Sequence, residues 1–423
     1  MTIKVRVVLS AMAVVLAAMG LTSCDHYVCS SGATFGASSC SASGSGLSQG
    51  TGSGTSTSAA FVFAVDTQSG TVDGFTLDTT ADTLSATSSY TAPTIPQDMG
   101  AGMVVAQGKF LYAGFRNTAQ VFGWVIDSTG NLTAISGSPY SAPFLVSINA
   151  GEVAQENMIT NPAGTFLFFS DPVSDQIYVY SIGSGGVLTA VSGSPFSAPF
   201  GPLNLAIDGK GKYLYAVNDF FGNHTGTEIA AFAIGSSGAL TPVAGSPFSY
   251  PMWQVAGEPS GQFLIGTTGN AVPASGTDDD NLYVFAINQT TGALSEVGTF
   301  ATQNSPFTIA VQPNSGGNLV YSFGINDTDT GYNPIEGFQI NSSTGALTAV
   351  SGSPFSNIQL GYWGQFDQTG AFLLDYSSII NAGTDTVVTQ LGVLDVGSGG
   401  AITSPISPLT LTTGGYWAVT DVP

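Results

Sequence analysis

The sequence predicts an all-β chain folded as a seven-bladed β-propeller of four-stranded antiparallel blades, with the ring closed by the C-terminal strand joining the N-terminal blade. Three observations carry that expectation. Residues 188–196, Leu-Thr-Ala-Val-Ser-Gly-Ser-Pro-Phe, return almost unchanged at 132–140, 240–248 and 347–355, and shorter relatives of their opening stand at Leu84, Leu294 and Ile402. These seven anchors are 48, 56, 52, 54, 53 and 55 residues apart. A repeat of about 50 residues made of short strands is the length of one propeller blade. The third observation is a mismatch of counts: second and third strands occur seven times each, but only six first strands precede the C-terminal segment 416–421, Tyr-Trp-Ala-Val-Thr-Asp. The seventh first strand is therefore expected to come from the end of the chain, leaving no open sheet edge in the ring.

The N-terminus is read separately. Lys4 and Arg6 precede an apolar run over 7–19, the pattern of a secretory signal. Leu21-Thr22-Ser23-Cys24 follows and resembles the lipobox of bacterial lipoproteins, which implies cleavage after Ser23 and acylation of Cys24. Residues 1–23 thus form the signal peptide, 24–58 a tether and 59–423 the propeller. The tether is almost wholly Gly, Ser and Thr from Ser41 to Ser58, and as a random coil it would reach about 30–35 Å. Cys29 and Cys40 are left as a disulfide pair in an oxidising compartment or as two thiols. The chain is expected to be exported and lipid-anchored at the cell envelope, on the periplasmic or the outer side.

The blades follow one pattern, clearest in the fifth repeat. A first strand at 253–257 leads through the turn Pro259-Ser260-Gly261 to a second at 263–266. A long polar loop precedes the third at 282–287, and a turn closing on Gly292 leads to the fourth at 293–297. Turns carry Gly, Pro, Asn and Ser, whereas the strands are β-branched, aromatic and nearly continuously apolar, as expected of sheets covered on both faces. Phe61, Phe110, Phe166, Tyr213, Phe263, Leu319 and Phe372 open the second strands; Phe75, Trp124, Tyr180, Phe232, Phe285, Phe338 and Leu391 mark the third. In the Gly-Ser-Pro-aromatic segment, Pro is expected to stop the outer strand where the chain crosses to the next blade. The aromatic, Tyr140, Phe196, Phe248 or Phe355, is expected to wedge between blades.

Charge narrows the function classes. The whole chain has 6 basic and 27 acidic residues. Removing 1–23 takes away Lys4 and Arg6 and no acid, so the exported chain carries 4 − 27 = −23 charges. Nucleic acid is excluded as a partner, because its binding rests on cations that replace phosphate counterions. Contact with the membrane is expected only through the lipid anchor, and the partner is a small molecule or an envelope protein.

In a propeller, the crossings between blades and the loops from second to third strands open on one face, around the mouth of the central channel. Asp98, Arg116, Asn117, Glu152, Glu156, Asp171, Asp175, Asn218, Asp219, His224, residues 278–280, Asp327, Asp329 and Asp385 fall in those segments, and Trp253 and Trp363 stand at first-strand starts. Trp253, Trp363 and Asn218 are the candidate binding residues of the mouth. For hydrolysis of an acyl bond, His224 with Asp219 or Glu156 is the candidate base and Arg116 the oxyanion donor. No cofactor is expected; Asp278, Asp280, Asp327 and Asp329 supply hard oxygen ligands for calcium without completing a known loop pattern.

The Gly-x-Leu-Thr-x-Val pattern, together with Asp-Gly-Lys-Gly-Lys-Tyr-Leu-Tyr-Ala-Val-Asn-Asp at 208–219, resembles the seven-bladed lactonase family that includes 6-phosphogluconolactonase-type propellers. The resemblance covers roughly residues 60–423 and implies hydrolysis of a lactone or sugar-derived small molecule. It also implies a Gly-Pro-Arg-His start to one first strand and Asn-Glu after the next second strand. Here those positions read Gly201-Pro202-Leu203-Asn204 and Asn218-Asp219. The loss of Arg, His and Glu there sets a non-catalytic binding or scaffolding propeller beside the enzyme as the alternative.

Overall fold

Strands β-branched and aromatic on both faces can be buried only if each sheet has a neighbour on either side, and a closed ring of sheets supplies that arrangement for every blade. The computed structural model describes residues 60–421 apart from 67–70, 79–82, 92–99, 116–117, 143–157, 219–227, 269–279, 304, 314–317, 326–333, 356–357, 359–362, 368–369, 382–385, 405–408 and 412–416. Among the described residues there is no helix, and the strands form seven antiparallel sheets whose main path is four strands each. Blade 4 is representative, with Pro202–Ile207, Tyr213–Asn218, Ile229–Ile234 and Leu240–Pro242 in sequential order from the inside out.

The ring closes as the strand count requires. Trp417–Asp421 pairs antiparallel with Ala60–Asp66, from Ala60 opposite Asp421 to Ala64 opposite Trp417. Blade 1 thus has one strand from the chain's end and three from its start. The innermost strands touch in an unbroken circuit: Trp417–Asp421, Gly100–Ala106, Met158–Thr160, Pro202–Ile207, Gln254–Gly257, Ser305–Val311, Trp363–Phe366 and back to the first.

Successive side chains of each second strand serve opposite interfaces, as the period of two dictates. Phe168 packs into the cluster between blades 3 and 4, and Phe169 into that between blades 2 and 3. Leu264 and Ile265 divide in the same way between the blade 4–5 and blade 5–6 clusters.

At the end of the ring that carries the turns between first and second and between third and fourth strands, the interfaces repeat one device. The Gly of Gly-x-Leu has positive φ, 80° at Gly186, 84° at Gly238 and 75° at Gly345, a conformation that glycine adopts without a Cβ penalty. It also lies against the residue opening the preceding blade's second strand. A Cβ on Gly186 would stand 2.6 Å from Phe110 Cδ1, and one on Gly238 2.6 Å from Phe166 Cε1. In the even-numbered blades a tyrosine adds a hydrogen bond across the gap: Tyr112 donates to Gly186 O at 2.5 Å, Tyr215 to Gly292 O at 3.0 Å and Tyr321 to Gly400 O at 2.6 Å. Burial raises the pKa of all three hydroxyls. The nearby turns between first and second strands are capped from within: Asp208 accepts the N–H groups of Lys210, Lys212 and Tyr213, and Glu258 those of Ser260, Gln262 and Phe263.

The Gly-Ser-Pro segment differs from expectation in one respect. The outer strand does stop, at Ala134, Ala190, Pro242 and Ala349, but the aromatic after Pro returns to the same third strand instead of leaving for the next blade. Phe196 pairs with Ile177, and Phe248 bridges Ile229. The reason is the serine. Its Oγ accepts the third-strand N–H that the interruption leaves over: Gly123 from Ser138, Val179 from Ser194, Ala231 from Ser246 and Gly337 from Ser353, at 2.8–3.0 Å. The preceding Gly is at φ 85–91° and each Ser-Pro bond is cis. The four aromatics are partly buried against the clusters between their own blade and the next, the wedge position expected of them. Blade 5 lacks the segment, and its outer strand runs on as Leu294–Ala301 around a bulge.

Candidate functional site

Antiparallel order puts the crossings between blades and the loops from second to third strands at the other end of the ring, which is the mouth. The first strands are irregular there. Register shifts fall between Pro202 and Asn204, between Pro306 and Thr308, and between Gly100 and Met103, so one or two residues bulge from each of these strands. Bulges re-aim side chains and are frequent next to sites.

In blades 5, 6 and 7 the corresponding position is aromatic. Trp253 stacks on Phe307 with ring centroids 5.3 Å apart and 30° between planes, and Phe307 meets Trp363 edge to face at 5.6 Å and 72°. Trp253 and Phe307 are buried, whereas Trp363 is half-buried and also packs against the cluster shared by blades 7, 1 and 2. Two of these three rings are named by the sequence reading. Phe307 is missed, although Pro-Phe-Thr-Ile-Ala at 306–310 matches Pro-Leu-Asn-Leu-Ala at 202–206 and Met-Trp-Gln-Val-Ala at 252–256, a parallel that exposes it.

Polar groups bind the same end from blade to blade. Ser170 Oγ donates to Leu203 O at 3.1 Å, Thr267 Oγ1 donates to Pro306 O, Asn204 Nδ2 donates to Trp253 O at 2.8 Å, and Ile309 N donates to Gln254 Oε1 at 2.7 Å. Leu203 and Asn204 are 2% and 1% exposed. The positions aligned with the family's Arg and His are thus built into the blade 3–4 and 4–5 contacts, and Asn204 Oδ1 has no hydrogen-bond partner. Asp171, at the mouth end of the second strand of blade 3, is also fully buried. Burial raises its pKa, opposed by hydrogen bonds from Ser174 and Val173, and Asp175 adds a repulsive contribution.

The remaining candidates divide by position. Asn218 closes its strand and pairs with Pro202. Asp280 is exposed, and its carbonyl accepts the N–H of Thr302 at 2.8 Å. Arg116, Glu156, Asp219, His224, Asp278, Asp327, Asp329, Cys24, Cys29 and Cys40 lie outside the described residues. Among the described residues no group of three or more His, Cys, Asp or Glu is placed to hold a metal. The described lysines stand in turns between first and second strands, away from the mouth: Lys109 lies over the Phe110 ring at 5.3 Å, and Lys212 Nζ donates to Gln289 O at 3.2 Å.

Among curated proteins none matches the chain. Solved structures share the fold at low sequence identity. The periplasmic gluconolactonase of Pseudomonas aeruginosa superposes with a TM-score of 0.59 at 14% identity, over 87% of this chain and 100% of its own. A Bacteroides fragilis protein provisionally assigned as a 6-phosphogluconolactonase gives 0.58 at 16%, over 86% and 98%. A Lactobacillus plantarum protein gives 0.58 at 15%, over 87% and 100%. In sequence, residues 157–356, which hold blades 3 to 6, match the family described as lactonase, 7-bladed beta-propeller.

Proposed function

We propose that this chain is an exported propeller of the lactonase family, tethered to the envelope through Cys24, whose channel mouth takes a neutral lactone or sugar-derived ring. The observation that carries the reading is the arc Trp253–Phe307–Trp363, contributed by three consecutive blades at the mouth. Trp363, the half-buried member of the arc, offers an aromatic surface suited to the apolar face of a ring-shaped ligand, with Trp253 and Phe307 packed behind it. A phosphorylated substrate fits poorly, because phosphate calls for cations and the described lysines stand at the opposite end of the ring.

Hydrolysis within this reading falls to Arg116 as donor to the acyl oxyanion and to His224, with Asp219 or Glu156, as the base that activates water. A second reading, binding without hydrolysis, is favoured by the burial of Leu203 and Asn204 where the family resemblance implies Arg and His. One experiment separates them: neutral sugar δ-lactones are offered to the wild-type protein and to its Arg116→Ala and His224→Ala variants, with hydrolysis and tryptophan fluorescence both recorded. Hydrolysis lost in both variants supports the enzyme. Ligand-dependent quenching without hydrolysis supports the binder, and neither signal with any lactone rejects the proposed ligand class.

A further inference from the structure

The second and third strands of blade 3 are joined by Asp171-Pro172-Val173-Ser174-Asp175. Asp171 is 0% exposed. Its Oδ1 accepts the N–H groups of Val173 and Ser174, each at 3.1 Å, which fixes the orientation of the carboxylate. Its Oδ2 is buried and has no hydrogen-bond partner. The Ser174 hydroxyl also acts on the carboxylate, but makes no hydrogen bond to Oδ2. A buried carboxylate oxygen left without a hydrogen bond is costly, and such atoms in folded proteins generally mark a ligand, an ion or a water.

The rest of the loop adds negative charge to that position. Asp175 ends the loop in the left-handed region, at φ 54°, and is half-buried. The Asp175 charge works in the same direction as burial on Asp171. A proton on Oδ2 would neutralise the charge, but a bound cation would also satisfy the oxygen's lone pairs and offset the repulsion between the two acids.

We propose that the Asp171–Asp175 corner of blade 3 binds a divalent cation of the calcium class, with Asp171 Oδ2 as the buried ligand, Asp175 as the rim ligand, and water completing the shell. Oxygen-only donors and a partly open shell suit calcium better than a transition metal. With no third acidic, His or Cys group placed to join them among the described residues, the expected affinity is that of weak extracellular sites, about 0.1–1 mM. This corner is separate from the Asp278, Asp280, Asp327 and Asp329 loops of blades 5 and 6.

The test uses the purified full exported chain, with calcium and terbium as the probes. At 10 mM, calcium should raise the melting temperature by about 2–3 °C over the EDTA-treated protein. Terbium should give saturable luminescence sensitised by Tyr178, whose hydroxyl feels the Asp171 charge. Both responses should vanish in Asp171→Asn and persist in Asp280→Asn. Should Asp171→Asn not fold, Asp175→Asn is expected to weaken terbium binding at least tenfold. An undiminished response in either blade 3 variant overturns the proposal. So does a wild-type protein indifferent to calcium whose Asp171→Asn variant is the more stable at pH 7.5, since the position is then held by a proton.

Discussion

The two ends of the ring are built on different rules. At the turn end, neighbouring blades meet through the same parts: a glycine at positive φ set against the first residue of the preceding second strand, with a tyrosine bond added in blades 2, 4 and 6. The acids there, Asp208 and Glu258, are each held by three backbone N–H groups. At the mouth end the described contacts change from one interface to the next: a serine hydroxyl, an asparagine amide, a threonine, a glutamine, and then three aromatic rings. Asn204 Oδ1 and Asp171 Oδ2 are buried there without a hydrogen-bond partner. Repetition therefore explains how the ring is held, and departure from repetition sets the mouth apart as the end where the proposed ligand and cation sites fall.

The largest perturbation removes the feature both ends share. Ending the chain after Pro408 deletes Trp417–Asp421 and exposes the edge of Ala60–Asp66 along five paired residues. The expected outcome is loss of the cooperative melt together with aggregation, read by calorimetry and light scattering. A soluble truncated chain that melts in one transition would contradict closure by this strand.

Next come substitutions that touch one end only. Gly238→Ala forces a Cβ into a residue at φ 84° and within 2.6 Å of the Phe166 ring. Left-handed strain and displacement of the ring together cost about 2–4 kcal/mol. Denaturant unfolding should show that loss, while any ligand response of the Trp253–Trp363 arc is retained by the fraction that folds. If ligand response fell with stability unchanged, the two ends would not be separable.

A third test uses pH. Tyr112, Tyr215 and Tyr321 have raised pKa values in the folded ring, with burial as the main cause. Above about pH 10 the unfolded chain releases these protons and the folded chain keeps them, so their contribution to stability falls as pH rises, by up to about 1.4 kcal/mol per pH unit for each tyrosine. Replacing all three with Phe should lower stability at pH 7, through three lost hydrogen bonds, and flatten its decline between about pH 10 and 12. Parallel curves for variant and wild type would show that these hydroxyls do not set the alkaline limit.

Much of the ring was legible because it is redundant. Seven copies average out local ambiguity, and a count of six first strands against seven second strands forces the closure that Trp417–Asp421 makes. The site was less legible because its residues depart from the repeat one at a time. Asp171 reads in the sequence as one more loop acid, since composition carries no sign that this carboxylate is fully buried while Asp280 is exposed. The resumed outer strand was hidden for a related reason: proline is a sound stop signal, but here the neighbouring serine takes over the N–H that a stop would leave unpaired.

That serine gives the smallest and cleanest test of the repeated design. Ser246→Ala removes the acceptor of the Ala231 N–H, a group on a fully buried residue, and the expected cost is about 1–2 kcal/mol for one unpaired donor. Ser194→Ala does the same to Val179 in the neighbouring blade, also fully buried. The two serines serve different sheets and share no partner, so the double variant should lose the sum of the single costs to within about 0.5 kcal/mol. A double variant losing markedly more than the sum would mean that the outer strands are coupled from blade to blade around the ring.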